Sequence, residues 1–425
     1  MVRYDTYIDS QTPYVGDIPS HWKMVQNKRV MHKEKRICDT YSGQKIISLT
    51  LNGAIVRDLG AGGKMPATFD GYQYVYPGEL LMCLFDIDVT PRCVGRVNNE
   101  GLTSPAYSSF VLHDNADLGY YYYYYLMLDH TKELLHLAKN LRHSLTEEQI
   151  GQIKVPLPPI LEQQAIAEYL DKKIAHVDSI IAKAKASIEE YKSWKASIIY
   201  EAVTKGLDPN VEMKDSGVRW IGEMPTSWNR TKLSNCFETI GSGTTPTSDD
   251  DSYYGGEINW LQSGDINGGY VYETKKKITN DAYSAFSALK IYNAPFLAIA
   301  MYGASIANTS IVNIDACTNQ ACCVFCNANE LVDMNFVFFA VLAAKEELLL
   351  SARGGTQPNI NQDVLKKLMI PIPSKKDQED IAKYLVDKCT TIQELIGEKE
   401  TLVEDLESYK KSLIFEVVTG KRKVV

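Results

Sequence analysis

Residues 156–173 read PLPPILEQQAIAEYLDKK and residues 371–388 read PIPSKKDQEDIAKYLVDK, an offset of 215 residues (371 − 156). The same offset relates residues 195–204 to residues 410–419. A second repeat opens each half, YVGDIPSHW at residues 14–22 and WIGEMPTSW at residues 220–228. Two copies are too few for a solenoid. The repeat instead predicts a pseudo-two-fold monomer, which presents two similar surfaces to a two-fold target or to two identical partners.

Composition places the chain among ordinary globular proteins. Its 425 residues suffice for two to four domains, and 45% are hydrophobic and 23% charged. We expect a cytoplasmic location, since the sequence shows neither a run of transmembrane length nor a signal-peptide core at its start. The nine cysteines are an odd number and lie mostly in apolar stretches, which predicts reduced, buried thiols.

A long helix is predicted after each proline-rich segment. Apolar residues recur mostly three and four positions apart from Ile166 to Ala202 and from Ile381 to Val417, with Lys and Glu elsewhere. Gly206 and Gly420 mark the predicted ends. At about 1.5 Å per residue, ~40 residues give a rod on the order of 60 Å. We expect the two helices to pair antiparallel as a coiled coil; the alternative is that each caps its own domain.

The remaining parts of the chain have mixed α/β patterns. Strand-like runs punctuated by Gly, Asn and Pro occupy residues 45–51, 79–85, 107–112, 258–261, 296–301 and 321–326. An apolar, helical pattern follows at residues 118–139 and 333–351. Six consecutive tyrosines, Tyr120–Tyr125, allow either a packed helix or a stacking platform for bases, and their register with residues 335–340 favours the helix.

These patterns predict an α+β fold with an internal pseudo-two-fold repeat. Two mixed α/β domains are expected at residues 1–155 and 207–370. Two long helical segments are expected at residues 156–206 and 371–425. The long helices would join the domains and hold them apart.

Few residues suggest catalysis or a metal site. Asp265, Glu273 and Lys275 have a spacing that could hold Mg²⁺ beside a base, but the segment also fits a surface turn followed by an exposed strand. Cys323 and Cys326 have CxxC spacing, yet Cys317 and Cys322 do not form a second such pair and no histidine is near. The sequence contains no nucleophile elbow or methyltransferase motif, so it offers no active site.

Polar loops in the second half are suited to base edges and phosphates. Residues 241–248, 262–267, 302–305 and 318–320 are rich in Gly, Ser, Thr, Asn and Gln, which also build ordinary turns. Asn319 and Gln320 are the best candidates for direct reading, because an amide can pair with N6 and N7 of adenine. The net charge of −8 argues against a protein that grips DNA alone over a long footprint.

The chain resembles the DNA-specificity subunit of Type I restriction–modification systems. The carrying motifs are SGVRWIGEMPTSW at 216–228, GSGTTP at 241–246, RGGTQPNI at 353–360, IPIP at 370–373, DQEDIAKYL at 377–385 and PLPPILEQQAIA at 156–167. The resemblance covers essentially the whole chain in the family's order of target-recognition domain, helix, target-recognition domain and helix. The first half departs from it, with LRHSLT at 141–146 and no GTTP loop.

The resemblance implies a non-catalytic reader of a bipartite double-stranded DNA target. Each recognition domain would contact one half-site, the helices would set the gap, and two methyltransferase subunits and the restriction (motor–nuclease) subunits would bind. S-adenosylmethionine, ATP and Mg²⁺ would belong to those partners, with no cofactor in this chain. The candidate DNA-binding residues are Thr244, Thr245, Ser263, Asp265, Tyr302, Ser305, Asn319 and Gln320, with Thr50, Arg92 and Ser104 in the first half.

Two other functions remain open on the sequence. One is a nuclease or methyltransferase with an unrecognised site. The other is a structural coiled-coil adaptor without DNA contact, which the divergence of the two globular parts argues against.

Overall fold

The computed structural model describes residues 2–60, 66–90, 92–138, 143–248, 250–352 and 359–424. Two compact units make up the chain. The first unit is Met1–Lys185 with Glu400–Val425, and the second unit is Ala186–Lys399. The end of the chain therefore belongs with its beginning. The four-segment division at 155, 206 and 370 that the sequence suggests stays a prediction.

The helices are α1 (Leu118–His130), α2 (Glu133–Leu137), α3 (Glu147–Gln152), α4 (Ile160–Lys205), α5 (Asn280–Ala285), α6 (Met334–Ala343), α7 (Lys345–Leu350), α8 (Gln362–Lys367) and α9 (Lys375–Val418). The strands of the first unit are β1 (Tyr7–Asp9), β2 (Asp17–Pro19), β3 (Lys23–Gln26), β4 (Met31–Glu34), β5 (Ile46–Thr50), β6 (Gly53–Val56), β7 (Gln73–Val75), β8 (Leu80–Cys83), β9 (Val94–Arg96), β10 (Gly101–Thr103), β11 (Tyr107–Leu112) and β12 (Lys154–Leu157). Those of the second are β13 (Met213–Asp215), β14 (Glu223–Pro225), β15 (Asn229–Lys232), β16 (Phe237–Gly241), β17 (Tyr254–Leu261), β18 (Tyr270–Val271), β19 (Lys276–Ile278), β20 (Phe296–Ala300), β21 (Thr309–Val312), β22 (Cys317–Thr318), β23 (Cys322–Ala328) and β24 (Met369–Ile372).

The two long helices begin and end where the sequence predicts. Helix α4 has 46 residues and α9 has 44, so each is roughly 65–70 Å long at 1.5 Å per residue. Gly206 and Gly420 follow these helices at φ +82° and +73°. That left-handed conformation ends a helix at little cost only for glycine. A Cβ on Gly206 would lie 3.1 Å from the ring of Trp228, and one on Gly420 would lie 3.0 Å from the ring of Trp22.

The long helices pair antiparallel within each unit, as the apolar seam predicts. In the first unit Val177, Ile181 and Ala184 of α4 pack with Val403 of α9. In the second unit Ile188 packs with Ile392 and Ile396. A polar pair accompanies each contact and obeys the sequence repeat: Lys410 is ion-paired with Asp178, and Lys195 donates to Gln393 Oε1 at 3.2 Å. The alternative of two separately capping helices is therefore wrong.

The mixed α/β parts share one sheet order. The first unit has a four-stranded sheet β4-β11-β8-β9, and the second has β16-β23-β20-β21 extended by β18. The second sheets also correspond, because β10 lies parallel to β5 as β22 lies parallel to β17, and each pair has an antiparallel neighbour, β6 or β19. The α+β class and the internal repeat are confirmed.

The two repeated motifs of each half meet in a short antiparallel pair. Strand β12, with Pro156, pairs with β3 just after Trp22, and β24, with Pro371, pairs with β15 just after Trp228. Because each pair is a separate two-stranded sheet, the prolines lie on edge strands where a missing N–H is tolerated.

The six tyrosines form a packed helix, as their register predicts. They lie in α1, where four of the rings are completely buried. The hydroxyl of Tyr120 donates to Val418 O at 2.8 Å, that of Tyr121 to Pro156 O at 2.9 Å and that of Tyr123 to Asp171 Oδ1 at 2.7 Å. These groups fasten α1 to the long helices and to β12, so the tyrosines are not a stacking platform for bases.

One buried glutamine at the start of each long helix holds the neighbouring loops. Gln163 accepts from Asp117 N at 2.8 Å and donates to Asn115 O and Pro158 O at 3.0 and 2.8 Å. Gln378 repeats the arrangement with Asp333 N, Leu331 O and Pro373 O at 2.8, 2.9 and 3.1 Å. Asp117 and Asp333 in turn cap α1 and α6. The repeat is therefore a repeat of a hydrogen-bonded scaffold.

All nine cysteines are free and buried, which confirms the prediction of reduced thiols. Within the described parts of the chain, no helix is both long enough and apolar enough to cross a membrane.

Candidate nucleic-acid interface

Three polar loops of the second unit converge on the fourth polar segment, the turn between β22 and β23 at residues 318–321. The loop after β16 reaches this turn through Gly243, where a Cβ would lie 1.8 Å from Thr318 O. Only glycine permits so close an approach. The loop after β17 begins where Asn319 N donates to Leu261 O at 3.1 Å, and the loop after β20 begins where Met301 N donates to Ala321 O at 2.8 Å.

Gln320 is the exposed amide at the centre of this cluster. Thr245 Oγ1 donates to Gln320 Oε1 at 2.6 Å, and the hydroxyl of half-buried Tyr302 donates to Gln320 O. Burial raises the pKa of Tyr302, so its hydroxyl stays a neutral donor. Thr244 lies in the same loop as Thr245, and its carbonyl accepts from Trp260 Nε1 at 3.3 Å. Thr245 thus orients the side-chain amide of Gln320, and Tyr302 holds the backbone of the same residue.

Asn319 differs from its neighbour because it is buried, with 9% of its surface exposed. Its Oδ1 accepts from Ala321 N at 3.0 Å and from Cys322 Sγ at 3.2 Å. Both bonds are local to the turn. This environment favours the turn-capping interpretation for Asn319 and leaves Gln320 as the accessible amide of the pair.

Asp265 is also buried, at 8% exposed, and its Oδ2 accepts from Gln262 N at 2.9 Å. Ser263 is half-buried beside it. Lys275 Nζ is 3.5 Å from Gly264 O. Within the described residues no group of three or more His, Cys, Asp or Glu side chains could hold a metal ion. The carboxylate of Asp265 thus stabilises the turn at residues 262–265. This contact favours the surface turn that the sequence also allowed over a magnesium site.

The cysteines near the turn behave as buried thiols. Burial raises the pKa of Cys317 to about 11 and that of Cys322 and Cys323 to about 12, and it also raises the pKa of Cys326. Cys322 and Cys326 belong to one buried apolar cluster, Cys317 to a second and Cys323 to a third. The four cysteines therefore pack as apolar core residues.

Ser305 follows Tyr302 in the loop after β20, and its carbonyl accepts from Asn308 N at 2.8 Å. It has no hydrogen bond to the turn at 318–321 within the described part of the loop. Residues 353–358 of the RGGTQPNI motif lie outside the described residues. Ile360 N, just after them, donates to Met301 O at 2.8 Å, as Leu145 N donates to Leu84 O at 2.8 Å in the first unit.

The first unit brings two of its three candidates together. Thr50 and Arg92 line one cavity of about 280 Å³. Thr50 stands at the end of β5, where its Oγ1 donates to Gly53 O at 3.1 Å and so closes the β5–β6 hairpin. Ser104 lies elsewhere, in a turn where its carbonyl accepts from Gln73 Nε2 at 3.0 Å.

A larger cavity of about 560 Å³ adjoins the β5–β6 hairpin. Its cationic lining residues are Arg92, Lys410 and Lys411. The two lysines are not distinctive in the sequence, because they belong to the regular Lys and Glu pattern of α9. They become candidates for binding only once it is known that the end of α9 packs against the first half of the chain.

Known proteins match this chain in sequence. The model of the family described as Type I restriction modification DNA specificity domain matches residues 93–190 and 225–404, which is more than half of the chain. The chain belongs to this family. The resemblance drawn from the repeated motifs is thereby confirmed.

Similar proteins extend the comparison. The chain is 27% identical over 282 residues to the putative type I restriction enzyme MjaX specificity subunit of Methanocaldococcus jannaschii, covering 66% of the chain but only 62% of that relative. It is 26% identical over 253 residues to the type I restriction enzyme EcoBI specificity subunit of Escherichia coli, covering 56% of the chain and 52% of the relative. The chain thus spans less than two thirds of the length of these relatives.

Solved structures share the fold. A chain from work on complex assembly and conformational transition of the type I R-M system superposes with a TM-score of 0.71 at 14% identity, covering 94% of this chain and 98% of that one. The HsdS subunit from Thermoanaerobacter tengcongensis gives a TM-score of 0.53 at 14% identity, with coverages of 95% and 98%. At these identities the likeness concerns the fold.

Proposed function

We propose that this protein is a sequence-specific double-stranded DNA-binding subunit of a Type I restriction–modification complex and is not itself catalytic. The second unit reads one half-site with the loops around Gln320, and the first unit reads the other with the β5–β6 hairpin and its surroundings. The paired helices α4 and α9 set the gap between half-sites.

The observation that carries this proposal is a scaffold that occurs twice and bears different loops in its two copies. Three features occur twice: the sheet order, the helix contacts, and a glutamine clamp. We use this last name for the buried glutamine, Gln163 or Gln378, that holds the neighbouring loops at the start of each long helix. The loop that contacts Gln320 in the second unit has no counterpart of the same sequence in the first. A conserved frame with divergent loops suits two readers of different sequences. A structural adaptor would not need its loops to differ.

The helix repeat also supports two copies of one partner, since pseudo-two-fold surfaces suit identical subunits. We propose that these are methyltransferase subunits and that restriction subunits join the same complex in the cytoplasm. S-adenosylmethionine, ATP and Mg²⁺ are bound by those subunits. The partners then supply phosphate contacts that a chain of net charge −8 does not provide over a long footprint.

The deciding experiment maps methylated bases across a genome when this chain is co-expressed with its methyltransferase partner. We expect one bipartite motif with two half-sites and a fixed gap. Methylation without sequence preference would favour the adaptor. Magnesium- or cofactor-dependent activity of the purified chain, abolished by Asp265→Ala, would favour an enzyme.

A further inference from the structure

A positively charged cleft lies in the first unit beside the β5–β6 hairpin. Its lining residues include Leu51 and Asn52 of the hairpin turn, Arg92, and Lys410 and Lys411 of α9. The guanidinium of Arg92 rests against the turn, since a Cβ on Gly53 would lie 3.7 Å from Arg92 Nη1.

The cleft has positive charge that its own carboxylates do not neutralise. Lys410 is ion-paired with Asp178, and Glu407 with Lys185 at 3.4 Å. Arg92 and Lys411 form neither an ion pair nor a side-chain hydrogen bond with any residue in the described parts of the chain. Among the described residues, two cations thus line one cavity of about 560 Å³ without an ion-pair partner, and such a cavity attracts an anion.

The imidazole of His130 on α1 is affected by the same positive charges. Burial lowers the pKa of this imidazole to about 4, and the charges of Arg92, Lys411 and Lys410 act in the same direction against that of Asp129. The histidine therefore remains neutral at physiological pH. The positive charge of the cleft comes from Arg92 and the lysines alone.

We propose that this cleft binds one backbone phosphate of DNA adjoining the half-site read by the first unit, with Arg92 and Lys411 as its ligands. The inference rests on the proposed function. Arginine presents a planar fork of donors and lysine a point charge, the two chemistries that proteins use for phosphate. A nucleic-acid phosphate is favoured over a small free anion because an exposed hairpin turn forms part of the lining, with Leu51 67% exposed. Phosphate contacts of this kind fix the register of a protein on the duplex and carry no base preference.

The test measures binding of the assembled complex with methyltransferase subunits to its mapped target and to single-base variants, over a range of salt concentrations. We expect Arg92→Ala and Lys411→Ala each to reduce the slope of log K against log salt by about one. Affinity at physiological salt should fall on the order of fivefold for each lost contact. Discrimination between the target and its variants should stay unchanged. Arg92→Lys, which keeps the charge, should retain most of the slope.

The matched control is Lys183→Ala, which removes one positive charge from an exposed position of α4 in the same unit; its slope should equal that of the unaltered protein. Uncharged methylphosphonates placed singly along the duplex should locate the phosphate. The one that weakens the unaltered complex should have no effect on Arg92→Ala or Lys411→Ala. Unchanged slopes, or altered base preference, in a complex that still reads its target would overturn the phosphate site alone. A complex without any sequence preference would overturn the proposed function and this site with it.

Discussion

Gln320 is the residue through which the second unit is best placed to meet a base. Its amide is exposed and is oriented by Thr245 at 2.6 Å, so it can pair with N6 and N7 of adenine without first losing side-chain freedom. We predict that Gln320→Ala relaxes preference at one base position, at a cost of ~1–3 kcal/mol. Methylation across single-base variants of the target measures this directly.

Asn319→Ala provides the matched control, because Asn319 is a neighbouring amide that is buried and bonded within its own turn. Losing those bonds should cost about 1 kcal/mol of stability. Its methylation profile should keep the same base preference while the melting temperature falls. A uniform loss of methylation in Gln320→Ala, with melting lowered in parallel, would reject base reading by Gln320.

The buried glutamines Gln163 and Gln378 should be equally important to stability. Each makes three hydrogen bonds to backbone groups, and a buried backbone group left unpaired costs about 1–3 kcal/mol. We predict that Gln163→Met or Gln378→Met lowers the free energy of unfolding by at least about 2 kcal/mol. Chemical denaturation measures the loss. Gln152→Met is the control, since Gln152 is exposed and its side chain donates to Glu148 one helical turn earlier; equal losses in all three variants would contradict the clamp.

At the scale of elements, the helix pair is predicted to set the gap between half-sites. Ala186 of α4 and Val403 of α9 are suitable insertion points, because the neighbouring Ala184 shares an apolar cluster with Val403. Four residues inserted at both points lengthen each helix by about 6 Å. Since B-DNA rises 3.4 Å per base pair, we expect a gap longer by one or two base pairs with both half-sites unchanged.

Mapped methylation motifs of the altered and unaltered proteins provide the measurement. An insertion at Ala186 alone is the control. It should disrupt the seam between Ile188 and Ile396 and lower stability, because only one helix of the pair is lengthened. A folded, active double insertion with an unchanged gap would show that the helices do not set the spacing.

Elements defined by local signals were predictable, and those defined by distant contacts were not. A proline precedes Ile160 and a glycine follows Lys205. These two residues mark the ends of α4 in the sequence and also in the fold. By contrast, β24 pairs with β15, more than a hundred residues earlier in the chain, and no local pattern indicates that partner. The site shows the same limit: the polarity of residues 318–320 identified the turn, whereas the burial of Asn319 beside exposed Gln320 depends on packing against β17 and β23.

At the scale of the whole molecule, the two readers are predicted to be independent. Replacing residues 231–350 with the matching region of a relative leaves Trp228, Pro371 and the clamp residue Gln378 in place. The exchange therefore replaces the sheets and loops of the second unit, including the clamp partners Leu331 and Asp333, and spares both long helices and the first unit. We expect one half-site to change while the other half-site and the gap persist in the mapped motif. Simultaneous change in both half-sites would contradict separate reading.

The last prediction concerns the chain without its partners. A net charge of −8 gives little long-range attraction for phosphates. Local cations such as Arg92 and Lys411 supply only a few contacts, and each contact is weakened by salt. We therefore expect the purified chain to bind its target weakly and with little selectivity at physiological salt. Adding methyltransferase subunits should restore tight binding and steepen the salt dependence, because the partners contribute further phosphate contacts. Titration of target and scrambled duplexes with and without the partner makes the comparison. Tight, sequence-specific binding by the chain alone would mean that its own loops supply the affinity assigned here to the partners.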